Sequence, residues 1–236
     1  MKKALFLFLT AACFSQLESF AQKNTRVGIT GGVSVTNIYG DVMGQNYRGD
    51  ARAGITVGMI MDVPIRKSTI SFQPGVHYVQ KGMFTKKTES VREADALRYA
   101  DFVFNFVKYT GNPDGTSLFF GLGPQVGLNL PSKRIQVEDG TRTELSSITF
   151  GKTSANDYRG IDWGANGLMG IRFKKGVTFA VNYTFGLRNL IPSEILDQPG
   201  RGDDNLRNGA LGIRLGYLFP STPKEREKKS KSKKKD

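Results

Sequence analysis

A histidine, a few serines and five charged residues are the side chains of this chain that could do chemistry. His77 is the sole histidine. A histidine joined to a serine and an acid makes a hydrolytic or acyl-transfer centre, and Ser71 and Ser117 are the serines that could join it. Ser71 lies far along the same predicted strand, however, and no GxSxG or HExxH context surrounds either residue. His77 therefore reads as a polar member of an interior hydrogen-bond network. Lys81, Asp101, Asp162, Arg172 and Arg214 have a different potential. Gathered in one confined interior, opposite charges must pair, because a lone buried charge is costly. They would form either a plug of salt bridges or a charge-selective constriction. Arg-Gly-Asp occurs twice, at Arg48-Gly49-Asp50 and Arg201-Gly202-Asp203. An adhesion motif and ordinary turn chemistry are the two readings, and turns use these residues routinely. Asp203-Asp204 offers too few ligands for a calcium site. No metal and no cofactor is expected.

What the five charges do depends on the elements that carry them. Over 208–219, Leu211, Ile213, Leu215, Tyr217 and Phe219 alternate with Ala210, Gly212, Arg214, Gly216 and Leu218. Side chains alternate across a strand, so this segment has one bulky apolar face and one small face bearing a cation. Seven further segments repeat the design: 27–35, 53–63, 70–81, 99–109, 118–130, 161–173 and 177–187. Segment 99–109 is the least clean, because Val103 and Val107 blur its faces. These strands are near the ~9–11 residues needed to cross a bilayer at a tilt and exceed the ~5–6 usual in soluble sheets. Lys81, Asp101, Asp162, Arg172 and Arg214 all fall on small faces, among repeated glycines. A barrel with its small face inward and its apolar face toward lipid explains both faces together, since glycine relieves crowding in a narrow closed sheet.

The connections give the orientation. Ile65-Arg66-Lys67, 111–115 and Lys174-Lys175-Gly176 are short turns, whereas 38–51, 82–98, 131–158 and 188–207 are long and polar. Short and long alternate strictly, as in outer-membrane barrels with short periplasmic turns and long external loops. An even strand count leaves both termini in the periplasm. A soluble eight-stranded barrel of lipocalin type is the competitor, but it would place its apolar face inside and these glycines and charges outside.

The ends of the chain agree with export. Lys2 and Lys3, the apolar run 4–12 and Ser19-Phe20-Ala21 form the layout of a secretory signal peptide cleaved after Ala21. The run is too short to span a bilayer as a helix. The only cysteine, Cys13, lies in this leader. As the acylated first residue of a lipoprotein it would need Leu three positions earlier, where Thr10 stands. A mature chain from residue 22 has no thiol, which excludes disulfides, thiolate metal sites and cysteine catalysis. Of the net charge of +13, the tail Lys224 to Asp236 supplies +5. The high pI is thus no nucleic-acid signature, and no nucleic-acid partner is expected. The tail is too polar to bury a core. It suits electrostatic contact with an anionic periplasmic partner.

Several segments resemble the PorT-like outer-membrane β-barrel family of Gram-negative bacteria. They are Val27-Gly28-Ile29-Thr30-Gly31-Gly32, Phe72-Gln73-Pro74-Gly75-Val76, Phe119 with Gly121-Leu122-Gly123-Pro124, and Gly212-Ile213-Arg214-Leu215-Gly216-Tyr217. The resemblance spans about 22–219, and it implies an outer-membrane barrel with no catalytic residues to transfer. In one respect the chain departs from the pattern. Barrel-assembly signals usually end on a terminal aromatic, whereas here a 17-residue tail follows Phe219.

The sequence thus predicts an all-β protein of the outer membrane, an eight-stranded antiparallel up-and-down transmembrane barrel over 22–219. A signal peptide over 1–21 precedes it and a basic periplasmic tail over 220–236 follows it. Interface girdles are expected at Tyr78, Tyr99, Tyr109, Trp163, Tyr217 and Phe219. Side chains just fill an eight-stranded lumen, so a salt-bridge plug is favoured for Lys81, Asp101, Asp162, Arg172 and Arg214. Expected partners are outer-membrane lipid and, during biogenesis, the barrel-assembly machinery. The leading function is a non-enzymatic scaffold or binding protein. A narrow solute channel is the alternative, and an outer-membrane enzyme the third reading.

Overall fold

Strict alternation of bulky and small residues folds into an antiparallel sheet that closes on itself. The computed structural model describes residues 25–65, 68–88, 90–111 and 115–220. The predicted leader, most of the basic tail and parts of the first two short turns lie outside these residues. In chain order the strands are β1 (Arg26–Val42), β2 (Gln45–Arg48), β3 (Asp50–Pro64), β4 (Ile70–Lys86) and β5 (Val91–Thr110). There follow β6 (Ser117–Glu138), β7 (Thr141–Ile148), β8 (Ile161–Arg172), β9 (Val177–Gly186), a short helix α1 (Ser193–Leu196) and β10 (Asn205–Leu218).

The ring runs β1-β3-β4-β5-β6-β8-β9-β10 and closes where β10 pairs with β1, from Gly28 opposite Leu218 to Asp41 opposite Asn205. These eight ring strands are the eight read from the sequence. β2 and β7 are additions at the long-loop end: β2 folds back on β1, and β7 pairs with the outer half of β6. Closure leaves the ring with no open edge, as a sheet in hydrocarbon requires.

The apolar faces point outward. Ile29, Val33, Ile55, Val57, Met59, Phe106, Leu122, Met169, Phe185 and Leu215 are each about half exposed or more, whereas Thr36, Thr56, Asp62, Gln73, Asn105, Asn166 and Asn182 are buried inside. This inversion of a soluble core is the signature of a sheet solvated by lipid. From Val177 to Leu187 the outward apolar run spans roughly 33 Å along the strand. At a ~40° tilt that is about 25 Å of barrel height, the thickness of an outer-membrane apolar band. Among the described residues no helix is long and apolar enough to cross a membrane; the strands do the crossing.

Two expectations change. Tyr99 and Tyr109 are not girdle residues: they are 0% and 2% exposed, inside the barrel. Their alternation phase is that of Asp101 and Asn105, and phase overrides the general preference of tyrosine for the interface. Val103, on the same small face as Asp101 and Asn105, and Val107 are buried in the lumen beside them. Lastly, three of the four segments read as long polar loops are largely strand, whereas 188–207 carries only the short helix and the start of β10. β5 begins at Val91, and β6 continues to Glu138 before turning at Asp139 and Gly140 into β7. Trp163, Tyr217 and Phe219 do face outward, with Tyr217 and Phe219 edge-on at 5.2 Å.

Candidate functional site

Inward phase brings side chains from all eight strands into one narrow column, and these sort into layers along the axis. At the long-loop end, Ile38, Met83, Leu97, Ile148, Tyr158 and Leu190 form an apolar cluster, each buried, with Tyr99 beneath. Four separate external segments contribute to it. Polar groups pin the cluster in place: the Tyr158 hydroxyl donates to Asp95, and Arg134 Nε donates to Asp95 Oδ1 at 2.7 Å. That contact with Asp95 holds the Arg134 guanidinium above its ordinary pKa, while burial raises the Tyr158 hydroxyl. Both therefore keep their protons at every physiological pH, and the cap does not loosen by titration of either.

Below the cap lies the first charged layer. Lys81 Nζ is 3.0 Å from Asp101 Oδ2 and 3.3 Å from Asp162 Oδ2, with all three side chains buried. Gln125 donates to Asp101 at 2.7 Å and Asn208 donates to Asp162 at 2.9 Å. The ammonium also lies 4.6 Å from the centre of the Tyr99 ring. One cation thus bridges two carboxylates that amide donors share, which is how ions survive away from water. Gly127 makes room for this layer, since a Cβ there would sit 2.6 Å from Asp101 Oδ1.

A neutral amide ladder continues down the column. Asn166 donates to Asn105 at 3.1 Å, Asn182 donates to Asn166 at 3.3 Å, and Thr184 donates to Gln125 at 3.0 Å. Beside it Arg214 Nη1 lies 3.4 Å from His77 Nε2. His77 packs where Gly58 leaves space, as a Cβ there would fall 2.4 Å from the ring. His77 and Arg214 border a small cavity of about 40 Å³, enough for a few waters. At the short-turn end, Arg172 stacks 4.1 Å from the centre of the Tyr109 ring and lies 3.7 Å from Asp62 Oδ2. The Tyr109 hydroxyl donates to Asp62 at 3.1 Å, and Phe119 packs against Tyr109.

Of the five expected charges, then, Lys81, Asp101 and Asp162 meet, Arg172 belongs to a second cluster, and Arg214 stands between them with His77. Asp62 is the member that sequence reasoning left out. It lies on the small face of its strand like the others, so its phase was a usable signal. Tyr99 and Tyr109 were also missed, for the reason given above. His77 has no serine–acid relay: its polar neighbour is Arg214, and Ser71 sits in the Asp62 layer. Within the Arg-Gly-Asp segments, Gly49 N–H donates to Ile38 O at 2.9 Å and Arg201 is held on Asp204. Among the described residues no cluster of three potential metal ligands occurs.

A filled, inverted barrel of this design has a counterpart in sequence. The family model described as "Outer membrane protein beta-barrel domain" matches residues 14–192. The chain belongs to that family. It is accordingly a bacterial outer-membrane β-barrel protein. No curated protein matches the sequence. Among solved structures, Ail of Yersinia pestis in complex with the heparin analogue sucrose octasulfate is 12% identical with a TM-score of 0.41, covering 84% of this chain and 100% of that one. Neisserial surface protein A is 11% identical with a TM-score of 0.42, over 82% and 97%. The outer-membrane enzyme PagL is 16% identical with a TM-score of 0.38, over 80% and 99%. These likenesses are of fold, and nothing about the activity of this chain is taken from them.

Proposed function

We propose that this outer-membrane barrel is a non-conducting, non-enzymatic scaffold that acts through its surface rather than its lumen. One observation carries the reading: the column is blocked at three levels, by the apolar cap, by Lys81 between Asp101 and Asp162, and by Arg172 between Tyr109 and Asp62. An ion entering this path would have to break these buried pairs. The external end, where β6 and β7 project beyond the ring, and the Lys-rich tail are then the parts free to make contacts. The PorT-like segments of the sequence support placing the chain in that branch of its family, without the secretion role of the namesake.

Release of a small trapped solute from proteoliposomes tests the reading. The account expects refolded residues 22–236 to release it no faster than empty vesicles; rapid release would favour the narrow channel, whose motivating feature is the cavity beside His77 and Arg214. The tail reading is tested by removing 220–236. Salt-sensitive retention on anionic periplasmic material should weaken while the barrel still assembles, and identical retention of both forms would sink it.

A further inference from the structure

On the outer wall the strand register builds a polar row that the lumen does not use. Tyr39 of β1 is flanked by Arg48 of β2 on one side and by Arg207 of β10 on the other. Tyr39 and Arg207 share the phase of the lipid-facing Val35 and Leu211, so the row points away from the barrel axis. One ladder step nearer the membrane come Asn37, Gly209 and Phe185, and the next step, Val35 with Leu211 and Tyr183, begins the apolar band. Asp41, between Asn46 and Asn205, stands one step further out. Tyr39 and Tyr183 close over Gly209 at the floor of this row, since a Cβ there would lie 3.0 Å from the Tyr39 ring and 3.1 Å from the Tyr183 hydroxyl. The result is a groove of about 530 Å³.

Two features of this groove select its occupant. The first is position. Successive outward residues are about 6.6 Å apart along a strand, so the arginines sit just above the hydrocarbon, at the height of lipid headgroups. The second is charge. Among the described residues neither Arg48 nor Arg207 has an ion-pair partner. Flanking one tyrosine, the two arginines spring from backbone positions about two strand spacings apart, roughly 9.6 Å. Guanidinium matches phosphate geometry in pairs of hydrogen bonds, and the asparagines and tyrosine hydroxyls can bond sugar hydroxyls. Phe185, Val35 and Leu211 below would meet acyl chains. We propose that this groove seats the phosphorylated sugar headgroup of an outer-leaflet glycolipid, with Arg48 and Arg207 on its phosphates. The proposal needs the barrel in its membrane but does not depend on a closed lumen.

The test uses residues 22–236 in phosphatidylcholine nanodiscs that contain either phosphorylated lipid A or the same lipid A stripped of phosphate. Native mass spectrometry after release counts the lipid A retained. The account expects the phosphorylated form to be retained at least about tenfold better. R48A/R207A should lose that preference, whereas K175A, at the opposite end of the barrel, should keep it. Heat-dependent gel migration reports folding, and R48Q/R207Q gives the same comparison if the alanine pair does not fold. Equal retention of the two lipids, or a preference unchanged in the arginine variants, would overturn the proposal. So would displacement of bound lipid by a soluble sulfated oligosaccharide that itself requires Arg48 and Arg207, since the groove would then serve a soluble polyanion.

Discussion

Lys81 is the residue on which the interior turns. Its single ammonium bridges two carboxylates that would otherwise repel each other in a space without bulk water. Removing one partner of a buried ion set costs about 3–5 kcal/mol, because the uncompensated charge remains. Lys81→Met should therefore lower the unfolding stability of the refolded barrel by about that amount. Adding Asp101→Asn and Asp162→Asn should recover much of the loss, since the three groups then carry no charge to leave unpaired. Urea unfolding in detergent or lipid measures both, and equal stability of Lys81→Met and the parent would show that the triad is not the strut described. At this scale the sequence was partly legible. Strand phase alone sends Lys81, Asp101, Asp162, Arg172 and Arg214 inward. Which of them meet was not legible, because contact across the lumen depends on the stagger of strands distant in sequence. Neither hydropathy nor spacing encodes that stagger. The case of Tyr99 and Tyr109 differs, since there the phase was available and residue type misled.

At the scale of the element, the ring strands follow from period-two alternation, and their number and order were legible throughout. The external segments were not. Ile148, Tyr158 and Leu190 have no shared periodicity, yet they converge on one cap with Leu97 and Ile38. The outer half of β5 alternates weakly because a register shift at Ala96/Arg98 breaks its phase and Ala94, Asp95, Ala96 and Leu97 are all buried. The orientation of the ring strands is open to a direct check. Trp163 is the sole tryptophan, on the outward face of β8 and 46% exposed. Its fluorescence should be quenched strongly by brominated lipids near the interface and weakly by aqueous iodide. The reverse pattern would put the apolar face of β8 inside and revive a soluble barrel.

At the scale of the whole molecule, a sheet with its hydrocarbon outside and its ions inside is stable only in a membrane. Once the ring is closed, its narrow bore leaves the interior little choice but to be filled. On the proposed reading, function moves to what the barrel displays: the β6–β7 projection, the arginine-flanked groove and the tail. The scaffold reading rests on a lumen that does not conduct. The most direct measurement is single-molecule conductance of residues 22–236 across a planar bilayer, with insertion verified independently by heat-dependent gel migration. The account predicts insertion without discrete current steps in the parent chain. Discrete steps in the parent, altered in size or ion selectivity by Lys81→Ala or Arg172→Ala, would mean that the charged layers line an open pore, and the account would be wrong.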